Sequence, residues 1–323
     1  MTILVNACSA SEGGAKEIVN NFISNYNSDE TLILLAPDCY EIKNHKIIHH
    51  TISTTRIVTL LFSLLGVVFY CFKYKPRVVY SFTNLNLIFP LVRRVTYFHQ
   101  LKIFSDNGLR FKIFRFFIRY FQNNVEFIFQ TSFVKDCFVD TFGSISKKYH
   151  ISWPGVYDSS SLTKASYSTI CTKAFIPYGN ILYSQKNFNF FLRNSKRLSD
   201  LNFETTVVSE GDVSNKTFRF LGYVSKSRMN EIYNDSDILL ISSLSETVCL
   251  PIFEFAISGK PILILKANYV KGIEKYFSRN IIVAEENVYF EVLEKIKNNY
   301  MDYCLREDEI EGLSFIKPDW PQI

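Results

Sequence analysis

Short runs of aliphatic and β-branched residues alternate along the chain with amphipathic stretches of helical length. In the first half, apolar runs at residues 3–7, 31–35, 78–82, 95–98, 127–130 and 149–153 predict strands, with helices at 15–25 and 132–142 among the stretches between them. The pattern starts again in the second half. Strands are predicted at 174–178, 205–209, 218–221, 238–242, 262–265 and 281–284, and helices at 188–198, 226–233, 251–258 and 288–299. Strands alternating with helices predict α/β architecture with parallel sheets. Residues 158–172 are rich in Ser and Thr and poor in large apolar groups, and read as a linker. The expected division is a first lobe over 1–165, a second over 170–305, and a closing segment over 306–323.

One stretch departs from the amphipathic rule. Residues 57–72, IVTLLFSLLGVVFYCF, are almost wholly apolar. They fall short of the ~20 residues that span a bilayer. Lys73, Lys75 and Pro76 follow, and then a predicted strand. The expectation is a helix that is buried or grazes a membrane.

Charge sharpens the picture. The chain carries a net charge of +5, but Lys and Arg exceed Asp and Glu only in the first 165 residues. No acidic residue occurs between Ile42 and Ser105, where there are nine basic ones. So one-sided a lobe seeks an anionic partner. The seven cysteines are scattered without a CxxC pair, which suggests neither a zinc site nor a disulfide framework. The opening residues, Met1-Thr2-Ile3-Leu4-Val5, read as a first strand rather than a signal peptide. Reduced thiols and no export signal point to the cytoplasm.

The candidate chemistry is concentrated between Ser243 and Pro261, SLSETVCLPIFEFAISGKP. A strand ends in a short loop carrying Glu246. A helix starts near Pro251, which suits a first turn because its missing N–H is not needed there. Gly259 stands where a left-handed cap belongs, and Pro261 blocks continuation. Free backbone N–H groups and a helix N-terminus at the end of a parallel strand favour a diphosphate. Glu246 in the loop and Glu254 in the first helical turn, eight positions apart, would repel phosphate, so each needs a hydroxyl partner. A ribose diol and sugar hydroxyls fit. The plain alternative makes Glu254 a helix-start acid and Glu246 a solvated loop residue.

This block resembles the E-x7-E hallmark of the family 4 glycosyltransferases, retaining enzymes of the GT-B fold. Ser243, Glu246, Leu250, Pro251, Glu254, Ala256, Gly259 and Pro261 stand in register. Thr247, Val248 and Cys249 replace the family's Gly-Phe-Gly. Phe220-Leu221-Gly222-Tyr223-Val224 is similar to the family's F-L-G-x-V strand. The segment from Tyr178 to Asn187 resembles the one whose Arg and Lys neutralise the donor diphosphate. Lys186 matches, but Asn180 stands at the Arg position. Ser11-Glu12-Gly13-Gly14-Ala15 looks like the first βα loop, which approaches donor phosphate and acceptor. His99-Gln100 resembles an H-Q segment at the interlobe cleft.

The resemblance implies two Rossmann-like βα lobes whose parallel sheets face an interlobe cleft, with the last segment crossing back to the first lobe. It implies a retaining glycosyltransferase that moves a sugar from a nucleotide-diphosphate donor. Glu246 and His99 would be the catalytic residues, Glu246 holding the transferred sugar and His99 bonding to the sugar or the acceptor. Gly13, Gly14, Lys186, Thr247, Val248, Cys249, Leu250 and Glu254 would bind the donor, Glu254 through the ribose. The nucleotide sugar is a substrate; no cofactor and no metal is expected. Asp235-Ser236-Asp237 looks like a metal-binding D-x-D motif but precedes a strand, where this family carries a helix-end acid.

Residues 110–121, RFKIFRFFIRYF, combine cations and aromatic rings. Arg115 and Arg119 align four apart on a helix, with Phe111 and Lys112 one turn earlier. Such a helix suits anionic lipid at a membrane interface. The same groups also suit single-stranded nucleic acid, though no RNA-binding motif accompanies them. With the family resemblance, the expected partners are a nucleotide-sugar donor, a glycan or polyprenyl-pyrophosphate-linked acceptor and the inner face of the cell membrane, with no nucleic acid. The Phe-, Asn- and Ile-rich composition points to bacterial surface polysaccharide, O-antigen or capsule. A nucleotide-sugar epimerase, a non-catalytic homologue and a nucleic-acid-binding protein remain alternatives.

Overall fold

The computed structural model describes residues 1–146, 148–156, 170–209 and 215–320. The chain divides into two compact units. The first comprises Met1–Tyr157 with Lys317–Ile323, and the second Asp158–Ile316. Most of the expected linker lies outside the described residues.

The first unit is built on seven strands: β1 (Thr2–Asn6), β2 (Thr31–Ala36), β3 (Ile47–Thr51), β4 (Val78–Ser81), β5 (Arg93–Phe98), β6 (Glu126–Phe129) and β7 (Tyr149–Ile151). They form one parallel sheet in the order β3-β2-β1-β4-β5-β6-β7. The central strands are apolar on both faces because helices cover both, as parallel sheets require. The order reverses between β1 and β4, which leaves a crevice beyond the carboxyl ends of those strands.

Strand β3 is absent from the sequence reading. Only Ile47 of IIHHT is buried, so no apolar alternation marks it. It is an edge strand, and its histidines are held locally. His50 Nε2 lies 2.6 Å from the Tyr74 hydroxyl, and His49 Nε2 lies 3.0 Å from the Ala36 carbonyl.

The apolar stretch forms a helix from Arg56 to Tyr74, including a widened π turn at Phe62–Gly66. Ser63, Leu64, Val67 and Cys71 are its buried side. Leu64, Val67 and Cys71 join the apolar clusters around the sheet. At 19 residues the helix is long and apolar enough, by length and composition, to cross a bilayer, and only 22% of its apolar window is buried. Its other side is exposed, yet still apolar: Ile57, Val58, Leu61, Leu65, Phe69 and Phe72. These residues recur at helical spacing and form one stripe. A second stripe runs along the helix Leu109–Phe121, where Leu109, Ile113, Phe116 and Tyr120 are exposed.

The last described residues return to the first unit. Asp319 N–H donates to the Trp153 carbonyl at 2.9 Å, and the Trp320 ring packs against Phe22, Phe82 and Tyr97.

The second unit has six parallel strands: β8 (Lys173–Pro177), β9 (Glu204–Val208), β10 (Phe218–Phe220), β11 (Ile238–Ile241), β12 (Ile262–Leu265) and β13 (Ile281–Ala284). Their order is β10-β9-β8-β11-β12-β13. The order reverses between β8 and β11, so the segments following those two strands flank this unit's own switch point. They are the Lys186 segment and the Glu246 loop.

Candidate active site

Backbone and hydroxyl bonds pin the two segments together. Ser242, just past β11, donates its N–H to the Tyr178 hydroxyl at 2.5 Å. Its own hydroxyl donates to the carbonyls of Lys186 and Asn187. Leu244 N–H donates to the Gln185 carbonyl at 2.8 Å. The Lys186 ammonium is thereby set 2.6 Å from Glu246 Oε1 and 5.6 Å from the centre of the Tyr178 ring. Burial opposes the Lys186 charge, but attraction to Glu246 outweighs it and holds the ammonium above its ordinary pKa. Lys186 is cationic throughout the neutral range, as a diphosphate site needs.

The helix Leu250–Ala256 carries the second glutamate. Glu254 is its fifth residue and so lies in the second turn, not the first, because Pro251 is at the helix start. Both Glu254 oxygens are engaged. Oε1 pairs with the Lys226 ammonium, and Oε2 accepts the Tyr233 hydroxyl at 2.8 Å. Burial, reinforced by the Glu254 charge, keeps the Tyr233 phenol protonated. Lys226 has no motif of its own and is absent from the sequence reading. Its only sequence signal is its place at the start of the helix Lys226–Asp235, where Ser225 accepts the Arg228 N–H as the cap, just after the F-L-G-Y-V segment.

Thr247, Val248, Cys249 and Leu250 connect the two glutamates. Val248 is buried, and Cys249 adopts the left-handed region at φ +59° immediately before the helix. Glycine takes that conformation without penalty, so Cys249 stands in place of the second glycine of Gly-Phe-Gly in a backbone shape that suits glycine. Burial pushes the Cys249 thiol pKa up, so the thiol is neutral beside the two carboxylates. Asn180 points back into its own turn, with Oδ1 accepting the Leu182 N–H at 2.8 Å.

Asp235 and Asp237 have structural work. Asp237 Oδ2 accepts the N–H groups of Thr172 and Lys173, each at 2.8 Å, and Asp235 pairs with Lys173 at 2.6 Å. Among the described residues no group of three or more His, Cys, Asp or Glu side chains is placed to hold a metal ion.

The remaining candidates belong to the first unit. A cavity of 750 Å³ lies at the β1/β4 switch point. His99, just past β5, lines it, as do Ser11, Glu12 and Ala15 on either side of Gly13 and Gly14. Gly13 opens the helix Gly13–Ser24 at φ +59°, a conformation that explains the glycine there. His99 donates its backbone N–H to Asn84 Oδ1 at 2.7 Å. Its Nδ1 is buried with no hydrogen-bond partner among the described residues. Burial pushes the imidazole pKa down to about 4, so it is neutral at physiological pH. The structure thus forms two groups, Lys186 with residues 246–250 and Glu254 in the second unit, and Gly13, Gly14 and His99 in the first.

Two parallel α/β units, each with its candidate residues at a switch point, are the architecture of the GT-B fold. Solved structures of that fold match the whole chain. Sucrose-phosphate synthase from Thermosynechococcus elongatus aligns over 97% of this chain and 94% of its own, at 9% identity and a TM-score of 0.69. Anabaena HepE, solved in complex with UDP and glucose, aligns over 98% and 93% at 14% identity and a TM-score of 0.64. WaaG, a glycosyltransferase involved in lipopolysaccharide biosynthesis, aligns over 97% and 100% at 12% identity and a TM-score of 0.63. No curated protein sequence matches the chain. Residues 172–298, most of the second unit, match the family described as Glycosyl transferases group 1. The second unit is thus similar to the group 1 glycosyltransferases, and the chain as a whole is similar in fold to solved glycosyltransferases.

Proposed function

We propose that this protein is a glycosyltransferase that transfers a sugar from a nucleotide-sugar donor, with retention, to a glycan carried on polyprenyl pyrophosphate, at the inner face of a bacterial cell membrane. The product would be O-antigen, capsule or a related surface polysaccharide. In the reaction the bond from the sugar's anomeric carbon to the diphosphate oxygen breaks, and one to an acceptor hydroxyl oxygen forms. The hydroxyl proton leaves with the diphosphate. Lys186, the N–H groups of residues 247–250 and the helix N-terminus stabilise the charge that develops on the leaving group. Glu246 orients the sugar, Glu254 takes the ribose, and neutral His99 offers a hydrogen bond to sugar or acceptor.

The observation that carries the donor half is the Lys186–Glu246 pair, a cation and a hydroxyl acceptor fixed side by side at the switch point. The membrane half is supported by two exposed apolar stripes on a lobe rich in cations. The helix 109–121 contributes fewer free cations than its sequence suggests. Arg115 donates to the carbonyls of Ile103 and Asp106, and Arg119 to that of Thr141.

Thermal stabilisation by UDP-, GDP-, CMP- and dTDP-sugars, on wild type and Glu254→Ala, tests the donor site. One nucleotide should stabilise the wild type, by about 2.7 kcal/mol at a hundredfold excess over its Kd, and the variant should lose the effect. A well-folded protein indifferent to all four would favour a non-catalytic homologue.

A further inference from the structure

The cavity of the first unit is more specific than a general acceptor lobe requires. Its floor is polar, with Glu12, Ser63, Thr83, Asn84 and the unpartnered Nδ1 of His99, and Glu12 is the one carboxylate among its described lining residues. Its walls are apolar and come from the first two turns of the two striped helices, through Ile57, Leu60, Leu109 and Ile113. Three of those residues, Ile57, Leu109 and Ile113, also belong to the exposed stripes, so the apolar lining runs continuously onto the outer surface. Two arginines stand with them. Arg56 opens one helix and Arg110 lies in the first turn of the other. No acidic side chain among the described residues forms an ion pair with either. Arg56 is held at φ +51°, a conformation that costs a non-glycine residue on the order of 1–3 kcal/mol and clusters at functional positions.

We propose that this cavity binds an anionic amphiphile, with its phosphate on Arg56 and Arg110, its hydroxylated head on the polar floor and its chain along the apolar wall of Ile57, Leu60, Leu109 and Ile113. The proposal rests on the reading of a lipid-linked acceptor and assigns the acceptor's charged end to this site. A guanidinium matches phosphate geometry through paired N–H donors, and two of them line this one cavity. An apolar exit leading to bilayer-facing stripes lets a long chain stay in lipid while its head is held by protein.

The test is calorimetric titration of the full chain with dodecyl phosphate below its critical micelle concentration, and separately with inorganic phosphate and dodecyl maltoside. Dodecyl phosphate should bind at least tenfold more tightly than either control. Arg56→Gly combined with Arg110→Ala should weaken it at least tenfold, with the melting temperature showing that the variant is folded; glycine suits the left-handed backbone at position 56. Leu60→Trp, which fills the cavity, should weaken it as well. Equal binding by wild type and the arginine variant, or by dodecyl phosphate and inorganic phosphate, overturns the proposal.

Sedimentation with phosphatidylglycerol vesicles separates it from the membrane reading. Phe69→Asp with Phe72→Asp, on the stripe beyond the cavity, should release the protein from vesicles yet leave dodecyl phosphate binding intact. Vesicle binding without dodecyl phosphate binding overturns the cavity assignment alone. The reverse overturns the membrane reading and leaves the cavity.

Discussion

The ammonium of Lys226 sits on the carboxylate of Glu254, the group assigned to the donor's ribose. Tyr233 occupies the other oxygen, so an incoming diol finds both acceptors taken. Lys226→Ala should lower the melting temperature of the free protein, by about 1–2 kcal/mol in stability, because a mostly buried carboxylate loses a donor. Nucleotide should then stabilise the variant more than the wild type, since ribose hydroxyls replace what was lost. A smaller shift would mean instead that Lys226 touches the diphosphate.

Lys186→Met should reduce turnover by roughly 10²–10³-fold, the scale of removing one transition-state donor. Binding of the donor should weaken less. Because the Lys186 pKa is raised, its charge and its pairing with Glu246 are fully present below the ordinary value of 10.5. They are lost only as pH rises through the higher folded value. A rate profile on stable protein should therefore show no loss from this residue between about pH 7 and 10.

Cys249 offers a test in which glycine and alanine trade places. In a helix, glycine is less stable than alanine by roughly 0.5–1 kcal/mol. At φ +59° the order should invert: Cys249→Gly should be more stable than Cys249→Ala by about 1 kcal/mol in urea melts. Both lose the thiol, so the difference isolates the backbone.

His99 should shape the acid side of the stability curve. Its folded pKa, about 4, lies below its ordinary 6.5. The stability tied to neutral His99 is complete above pH 6.5 and is lost as pH falls toward about 4, where the unfolded chain binds the extra proton. His99→Gln should flatten urea-melt stability over that range by about 3 kcal/mol in total.

Much of this was legible in sequence because it rests on local chemistry. The strands around Ile3, Ile33, Leu239 and Leu263 are buried on both faces, so continuous apolar runs betray them. The Glu246 and Glu254 block is written within one loop and one helix, and its spacing survives in a linear reading. What was not legible depends on distant partners. Lys226 reaches Glu254 across 28 positions, and nothing near it marks a site. Strand β3 owes its place to β2 rather than to its own pattern. The apolar face of the helix Arg56–Tyr74 left open whether burial or solvent would claim it; the fold buries one side and leaves the other outside. The left-handed backbone of Cys249 was hidden because cysteine seldom adopts it.

The return of Trp320 to Phe22, Phe82 and Tyr97 has a consequence for how the protein is made. The first unit is translated early, but one ring of its aromatic cluster emerges only after the whole second unit. Until then the nascent sheet carries an open apolar notch. Its closure ties completion of the first fold to synthesis of the second, so a ribosome stalled between them leaves a chain that chaperones and proteases can recognise as unfinished.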